Sequence, residues 1–156
     1  MTLSATLFSD PGCPWAYSAT PALTALAWHY GDGVEWRLVL IGLTERGEQY
    51  TAPSLLLSDG ERTLEGGGFQ PLEAYDVLVA NLDPTLPRAA GVRSESLEPA
   101  LARFPTGLTT QEVALVMTHG NDAPDRGAAE DALIDLAAAG AVRRQPLADD
   151  ALWVVA

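Results

Sequence analysis

Thr2-Leu3-Ser4-Ala5-Thr6-Leu7-Phe8-Ser9-Asp10-Pro11-Gly12-Cys13-Pro14-Trp15-Ala16-Tyr17 is the stretch on which the fold turns. Residues 2–10 read as a short strand that stops at the turn cluster Asp10-Pro11-Gly12. A helix is predicted to follow. Pro14 stands near its first turn, where the missing N–H costs little. Ala19, Leu23, Leu26, Ala27 and Tyr30 recur at helical spacing and give one apolar face. Gly31-Asp32-Gly33 closes the helix in a glycine-rich turn. From Val34 to Ile41, Val34, Trp36, Leu38 and Leu40 alternate with Glu35 and Arg37, the pattern of a second strand. A strand, helix, strand unit implies two parallel strands joined by a right-handed crossover.

Outward from this unit, residues 44–52 are polar and short. Pro53 opens the apolar run Leu55-Leu56-Leu57, and Ser58-Asp59-Gly60 is a hairpin turn to a partner strand over 62–65. Gly66-Gly67-Gly68 is expected as a flexible exit. Pro71 starts a helix with Leu72, Tyr75, Leu78, Val79 and Leu82 on one side. Residues 1–83 therefore read β-α-β-β-β-α. Residues 84–96 hold two prolines, a glycine and two arginines, the composition of a linker that permits some motion. Beyond it the pattern turns helical. One helix is expected over 97–104, a second capped by Thr109 or Thr110 with Glu112 in its first turn, and a third over 124–139 that Gly140 stops. Residues 141–144 and 152–155 flank the polar Asp149-Asp150 turn as a hairpin. Three helices followed by a hairpin, over 97–156, is the order of a winged-helix domain. The fold class expected is α/β, with a β-α-β-β-β-α domain at 1–83 and the winged-helix domain after the linker.

Composition narrows the function. The 156 residues carry 21 acidic and 9 basic side chains, all nine arginine, for a net charge of −12. One cysteine excludes an intrachain disulfide scaffold and a cysteine-rich zinc site. The two histidines, His29 and His119, lie far apart in sequence, and no metal site is expected. No apolar run approaches the ~20 residues of a membrane helix, and no signal peptide is visible. A reduced, cytoplasmic protein without a membrane partner is the expectation. Nucleic acid is disfavoured. Residues 95–156 hold ten acids against four arginines, and the third helix, which would enter the major groove, carries Asp125, Glu130, Asp131 and Asp135 against Arg126 alone. Only Arg143 and Arg144, at the start of the wing, are placed for phosphate.

Cys13 is the sharpest feature. A thiol between a strand and a helix start sits beside unpaired N–H groups and the positive end of the helix dipole, which stabilise a thiolate and raise its reactivity. The competing reading is a small buried hydrophobe. The other tryptophans, Trp28, Trp36 and Trp153, read as core. His29 reads as a partner of the first helix's C-terminal dipole, and His119 as a loop residue.

Gly12-Cys13-Pro14-Trp15-Ala16-Tyr17 after the first strand resembles the DsbA-like thioredoxin superfamily, in particular the branch with FrnE-type oxidoreductases and 2-hydroxychromene-2-carboxylate isomerases. Ala52-Pro53 before Ser54-Leu55-Leu56 resembles the family's cis-proline. Gly67-Gly68-Phe69-Gln70-Pro71-Leu72 resembles its last strand and closing helix. The resemblance covers residues 2–43 and 52–83. It implies a thiol-dependent oxidoreductase or isomerase with Cys13 as nucleophile, and Pro14, Trp15, Ala52 and Pro53 as the substrate- or thiol-binding residues. It implies no bound cofactor beyond a low-molecular-weight thiol such as glutathione. A small thiol or disulfide is the substrate class, and a second copy of the chain is a further candidate partner. Two departures shape the expectation. Ala16 stands where the redox branch has its second cysteine, which leaves a monothiol site. The helical insertion between the second strand and the cis-proline strand, one wall of the family's substrate cleft, is reduced to residues 44–52. This short bridge predicts that residues 45–50 partly cover the thiol. The competing functional class is a catalytically degenerate interaction module; a winged-helix DNA-binding regulator is the third.

Overall fold

The computed structural model describes residues 2–42, 50–120 and 122–156. They fold as a mixed α/β protein in two compact units, residues 1–89 and 90–156.

The first unit is built on β1 (Leu3–Ser9), α1 (Pro14–Tyr30), β2 (Val34–Leu40), β3 (Ser54–Ser58), β4 (Thr63–Gly67) and α2 (Leu72–Leu82). The strands form one sheet in the order β2-β1-β3-β4. β1 and β2 are parallel, as the crossover requires, with Leu3 opposite Val34 and Ser9 opposite Leu40. β3 runs antiparallel to both β1 and β4. Alternation along the strands sorts the side chains. Leu3, Ala5, Val34, Leu55 and Leu57 are buried on one face, while Ser4, Glu35, Arg37, Thr63 and Glu65 on the other are exposed. α2 packs on the apolar face. There Gly66 permits a close approach, since a Cβ at that position would lie 2.9 Å from the Tyr75 ring. This corrects the expected flexible exit: Gly66 and Gly67 belong to β4, and only Gly68 takes a positive φ, of 70°.

The apolar alternation of β2 does not translate into burial along its length. Val34 is buried, but Leu38 and Leu40 are 61% and 64% exposed, because β2 is an edge strand and its C-terminal half has no neighbour on its outer side among the described residues. Trp28 and Trp36, expected in the core, are only half-buried.

The second unit contains α3 (Leu97–Leu101), β5 (Leu108–Thr109), α4 (Thr110–Met117), α5 (Arg126–Ala138), β6 (Val142–Leu147) and β7 (Asp150–Val155). The three helices and the hairpin occur in the expected order, with shorter helices. Pro124 and Asp125 precede α5, where Asp125 serves as its N-cap. The hairpin strands are longer than the apolar pattern indicates. They meet at Ala148, which has a φ of 47°, and Asp149, so Asp150 opens β7 rather than forming the turn. The two-residue β5, too short to show a period, adds a third strand in the order β5-β7-β6. Trp153 of β7 is fully buried, and its indole N–H donates to Thr110 Oγ1 at 3.0 Å.

Arg88 and Ala89 are held within the first unit, and Gly91 and Val92 within the second. Arg88 pairs with Asp76, and the Ala89 N–H donates to the His29 carbonyl at 2.7 Å. The Val92 N–H donates to the Val116 carbonyl at 2.9 Å. Gly91 lies so close to the Thr118 carbonyl that no side chain fits between them.

Candidate functional site

The C-terminal end of β1 delivers the chain to Asp10, whose carboxylate accepts the Gly12 N–H at 2.7 Å and whose carbonyl accepts the Cys13 N–H at 3.0 Å. This turn sets Cys13 as the N-cap of α1, with extended φ and ψ of −90° and 116°. Its carbonyl accepts the first helical bond, from Tyr17. Pro14 occupies the first helical position, where its fixed φ suits the helix and no donor is lost.

β3 begins at the same end of the sheet because it runs antiparallel to β1. It is entered through a cis Ala52–Pro53 peptide. The Cys13 Sγ–H donates to the Ala52 carbonyl at 3.4 Å. The thiol is 4% exposed and packs with Ala16, Ile41 and Ala52, against which Phe8 and Val39 also lie. Tyr50 stacks on Phe8 with ring centroids 4.4 Å apart. The expected cover of the thiol by residues 45–50 lies, apart from Tyr50, outside the described residues.

β4 ends at this same end of the sheet, and the residues after it bring Phe69 toward Trp15. Their ring centroids are 6.4 Å apart, and the side chains are 49% and 65% exposed. The structure thus joins Cys13 to Ala52 directly, holds Pro53 in the cis peptide that follows, and places Pro14 and Trp15 on the exposed start of α1. Phe69, Phe8 and Ile41 were not singled out from the sequence. Phe69 alone carried a signal, as a large apolar residue set in a glycine-rich, otherwise polar connection.

A second cluster lies at the other end of α1. His29 is buried, its Nδ1 3.9 Å from Asp76 Oδ1, too long for a hydrogen bond. Arg88 donates to Asp76 Oδ2 at 2.8 Å. Burial, with the Asp76 carboxylate next in weight, pushes the Tyr30 phenol up to about 12. Burial alone would push the Asp76 carboxyl up, but the neighbouring His29, Arg88 and Tyr30 outweigh it and hold it below its ordinary value. His29, in the last turn of α1 as the dipole reading expects, also faces the partly buried Asp76 carboxylate. His119 lies beyond the end of α4, exposed.

Among the described residues no group of three or more His, Cys, Asp or Glu side chains is placed to hold a metal ion. No described helix is long and apolar enough to cross a membrane.

No protein-family model matches the chain, and no curated protein does. Among solved structures, a malarial protein is similar at 14% identity and a TM-score of 0.42, over 52% of this chain and 97% of its own. The germline-specific thioredoxin Deadhead of Drosophila melanogaster is similar at 20% identity and a TM-score of 0.42, over 52% of this chain and 81% of its own.

Proposed function

We propose that residues 1–89 form a monothiol site of the DsbA-like thioredoxin kind, in which Cys13 exchanges with the disulfide of a low-molecular-weight thiol such as glutathione. The observation that carries this reading is the 3.4 Å contact between Cys13 Sγ and the carbonyl of Ala52, the residue that enters the cis Pro53 peptide. A sulfur at a helix start, beside backbone that can pair with an incoming chain, is suited to attack a disulfide. In the step, the Cys13 thiolate attacks one sulfur of the disulfide. The Cys13–sulfur bond forms, the original S–S bond breaks, and the released thiolate takes a proton from water. Ala16 offers no second thiol, so the mixed disulfide persists until an external thiol removes it. Such a site supports thiol transfer or isomerisation rather than net oxidation. Pro14 fixes the helix start, while Trp15 and Phe69 offer exposed rings to the substrate beside the sulfur. A lone cysteine suits a reducing compartment such as the cytoplasm.

The test is incubation of native protein with glutathione disulfide, followed by intact mass measurement. One glutathionyl adduct per chain is expected, reversed by reductant and absent from Cys13→Ser. A native protein that takes no adduct, yet reacts fully after unfolding, overturns this reading. It would favour the second one, a non-catalytic interaction module, which draws on the 4% exposure of the thiol and its apolar surroundings.

We infer that residues 90–156 are a winged-helix-type interaction module and not a DNA reader. Arg126 of α5 is drawn to Asp150 at 3.3 Å, and the Arg144 guanidinium lies 5.8 Å from the Trp153 ring centroid. Both positive charges are thereby engaged, and α5 presents mainly carboxylates. No gel shift on mixed-sequence DNA is expected; binding at physiological salt would overturn this assignment.

A further inference from the structure

We propose that the outer edge of β2 is a self-association surface, at which two copies of the chain join their sheets antiparallel about Trp36. β2 ends the strand order, so its outer side pairs with no strand among the described residues. The Ile41 N–H donates to the Ser9 carbonyl on β1. Strand backbone alternates direction, so Glu35, Arg37 and Val39 turn their N–H and C=O groups toward β1 as well. Val34, Trp36, Leu38 and Leu40 then present theirs outward; the Val34 N–H donates to the Gly31 carbonyl, while the groups of Trp36, Leu38 and Leu40 meet no strand among the described residues. Natural edges are usually blunted by charge, proline or a covering element. This one carries Leu38 and Leu40, 61% and 64% exposed, and two charges of opposite sign, Glu35 and Arg37.

Those charges select the register. In a two-fold antiparallel pair each hydrogen-bonded pair maps onto another of its kind, so one residue must face its own copy. Centring on Trp36 sets Val34 against Leu38 of the second copy and Glu35 against Arg37 of the second copy, each twice. Centring on Arg37 sets two guanidinium groups face to face, and centring on Glu35 does the same with two carboxylates. Centring on Leu38 moves both charges opposite apolar residues. Only the Trp36 register satisfies both charges while covering Leu38. Opposite charges directly across antiparallel strands stabilise the pair, and like charges there destabilise it. The net charge of −12 opposes assembly, so the association is measured at physiological ionic strength, where exposed charges are screened beyond ~8 Å.

The test is sedimentation velocity of the full chain over a concentration series. A concentration-dependent dimer is expected. Arg37→Glu sets carboxylate against carboxylate twice and raises the dissociation constant about tenfold or more. Glu35→Arg does the same with arginines. The double variant E35R/R37E restores the original constant within about twofold. Both side chains are exposed, so unchanged circular dichroism and melting are expected of every variant. A chain that stays monomeric at all concentrations overturns the proposal. So does a dimer that Arg37→Glu leaves unmoved, or a double variant as weak as the single ones.

Discussion

The two units start their helices differently. In the first, α1 begins at Cys13 and α2 at Pro71, and neither residue gives a side-chain cap. In the second, α4 begins with a full capping box. Thr109 Oγ1 accepts the Glu112 N–H at 3.2 Å, and Glu112 Oε2 accepts the Thr109 N–H at 2.7 Å. α5 begins at Asp125, which accepts the Ala128 N–H at 2.9 Å. A cap satisfies donors that a helix start otherwise leaves open. The second unit specifies its helices locally. The first leaves the start of α1 to a thiol and holds its helices by packing on the sheet. A helix start kept free of a cap can serve chemistry, provided the rest of the helix is anchored elsewhere.

The largest way to break this contrast is Trp153→Ala. If the second unit were held by its caps alone, removing a core ring would cost little. But Trp153 is fully buried and bonds to Thr110, the first residue of α4, so the capped start is bolted to β7. Truncation is expected to cost about 3–5 kcal/mol in denaturant unfolding. Next comes Gly66→Ala in the first unit, where α2 has no cap and depends on its approach to the sheet. The added methyl would meet the Tyr75 ring at 2.9 Å and Leu78 at 3.1 Å. Overpacking of this kind costs about 1–3 kcal/mol, and unchanged stability would show that α2 is held otherwise. Thr109→Ala removes the acceptor of the capping box and is expected to cost about 1 kcal/mol, with Thr109→Ser close to neutral.

Most of this contrast was legible in the chain. The sequence left Thr109 and Thr110 both open as the cap beside Glu112, and the structure selects Thr109, three residues before Glu112, the spacing at which each side chain reaches the other's backbone. The strand, helix, strand pattern and Pro53 placed β1, α1, β2 and the start of β3. Three things were not legible, each for its own reason. Leu38 and Leu40 carry the alternation of a buried strand, yet periodicity records which face a side chain shares and not whether anything covers it. β5 has two residues, fewer than any period needs. The glycines at 66 and 67 look flexible until α2 is placed over them. Of the site, Cys13 and Pro53 could be read in sequence. Their meeting at the Ala52 carbonyl depends on the antiparallel entry of β3, which the sequence shows only through the hairpin at 58–60.

The smallest effect concerns the anchored end of α1 and separates two causes that both raise Tyr30. Its folded value of about 12 lies above the ordinary 10.0 of a phenol. The protonated form is therefore favoured in the native state. The stability this contributes is fully present below pH 10 and is lost as pH rises through about 12. Burial raises the Tyr75 phenol as well, so a spectroscopic titration of tyrosinate should show a phenol near that upper value that is missing from Tyr30→Phe. In Asp76→Asn the carboxylate's repulsion of the phenolate disappears, while burial, the larger cause, remains. The late phenol should then move down only part of the way toward 10.0. A complete return would mean that the charge of Asp76, and not the packing of α1 against α2, sets the environment of Tyr30. In that case the helix would be tethered by an ion pair at its C-terminal end, and the contrast with the locally capped helices would rest on electrostatics instead of packing.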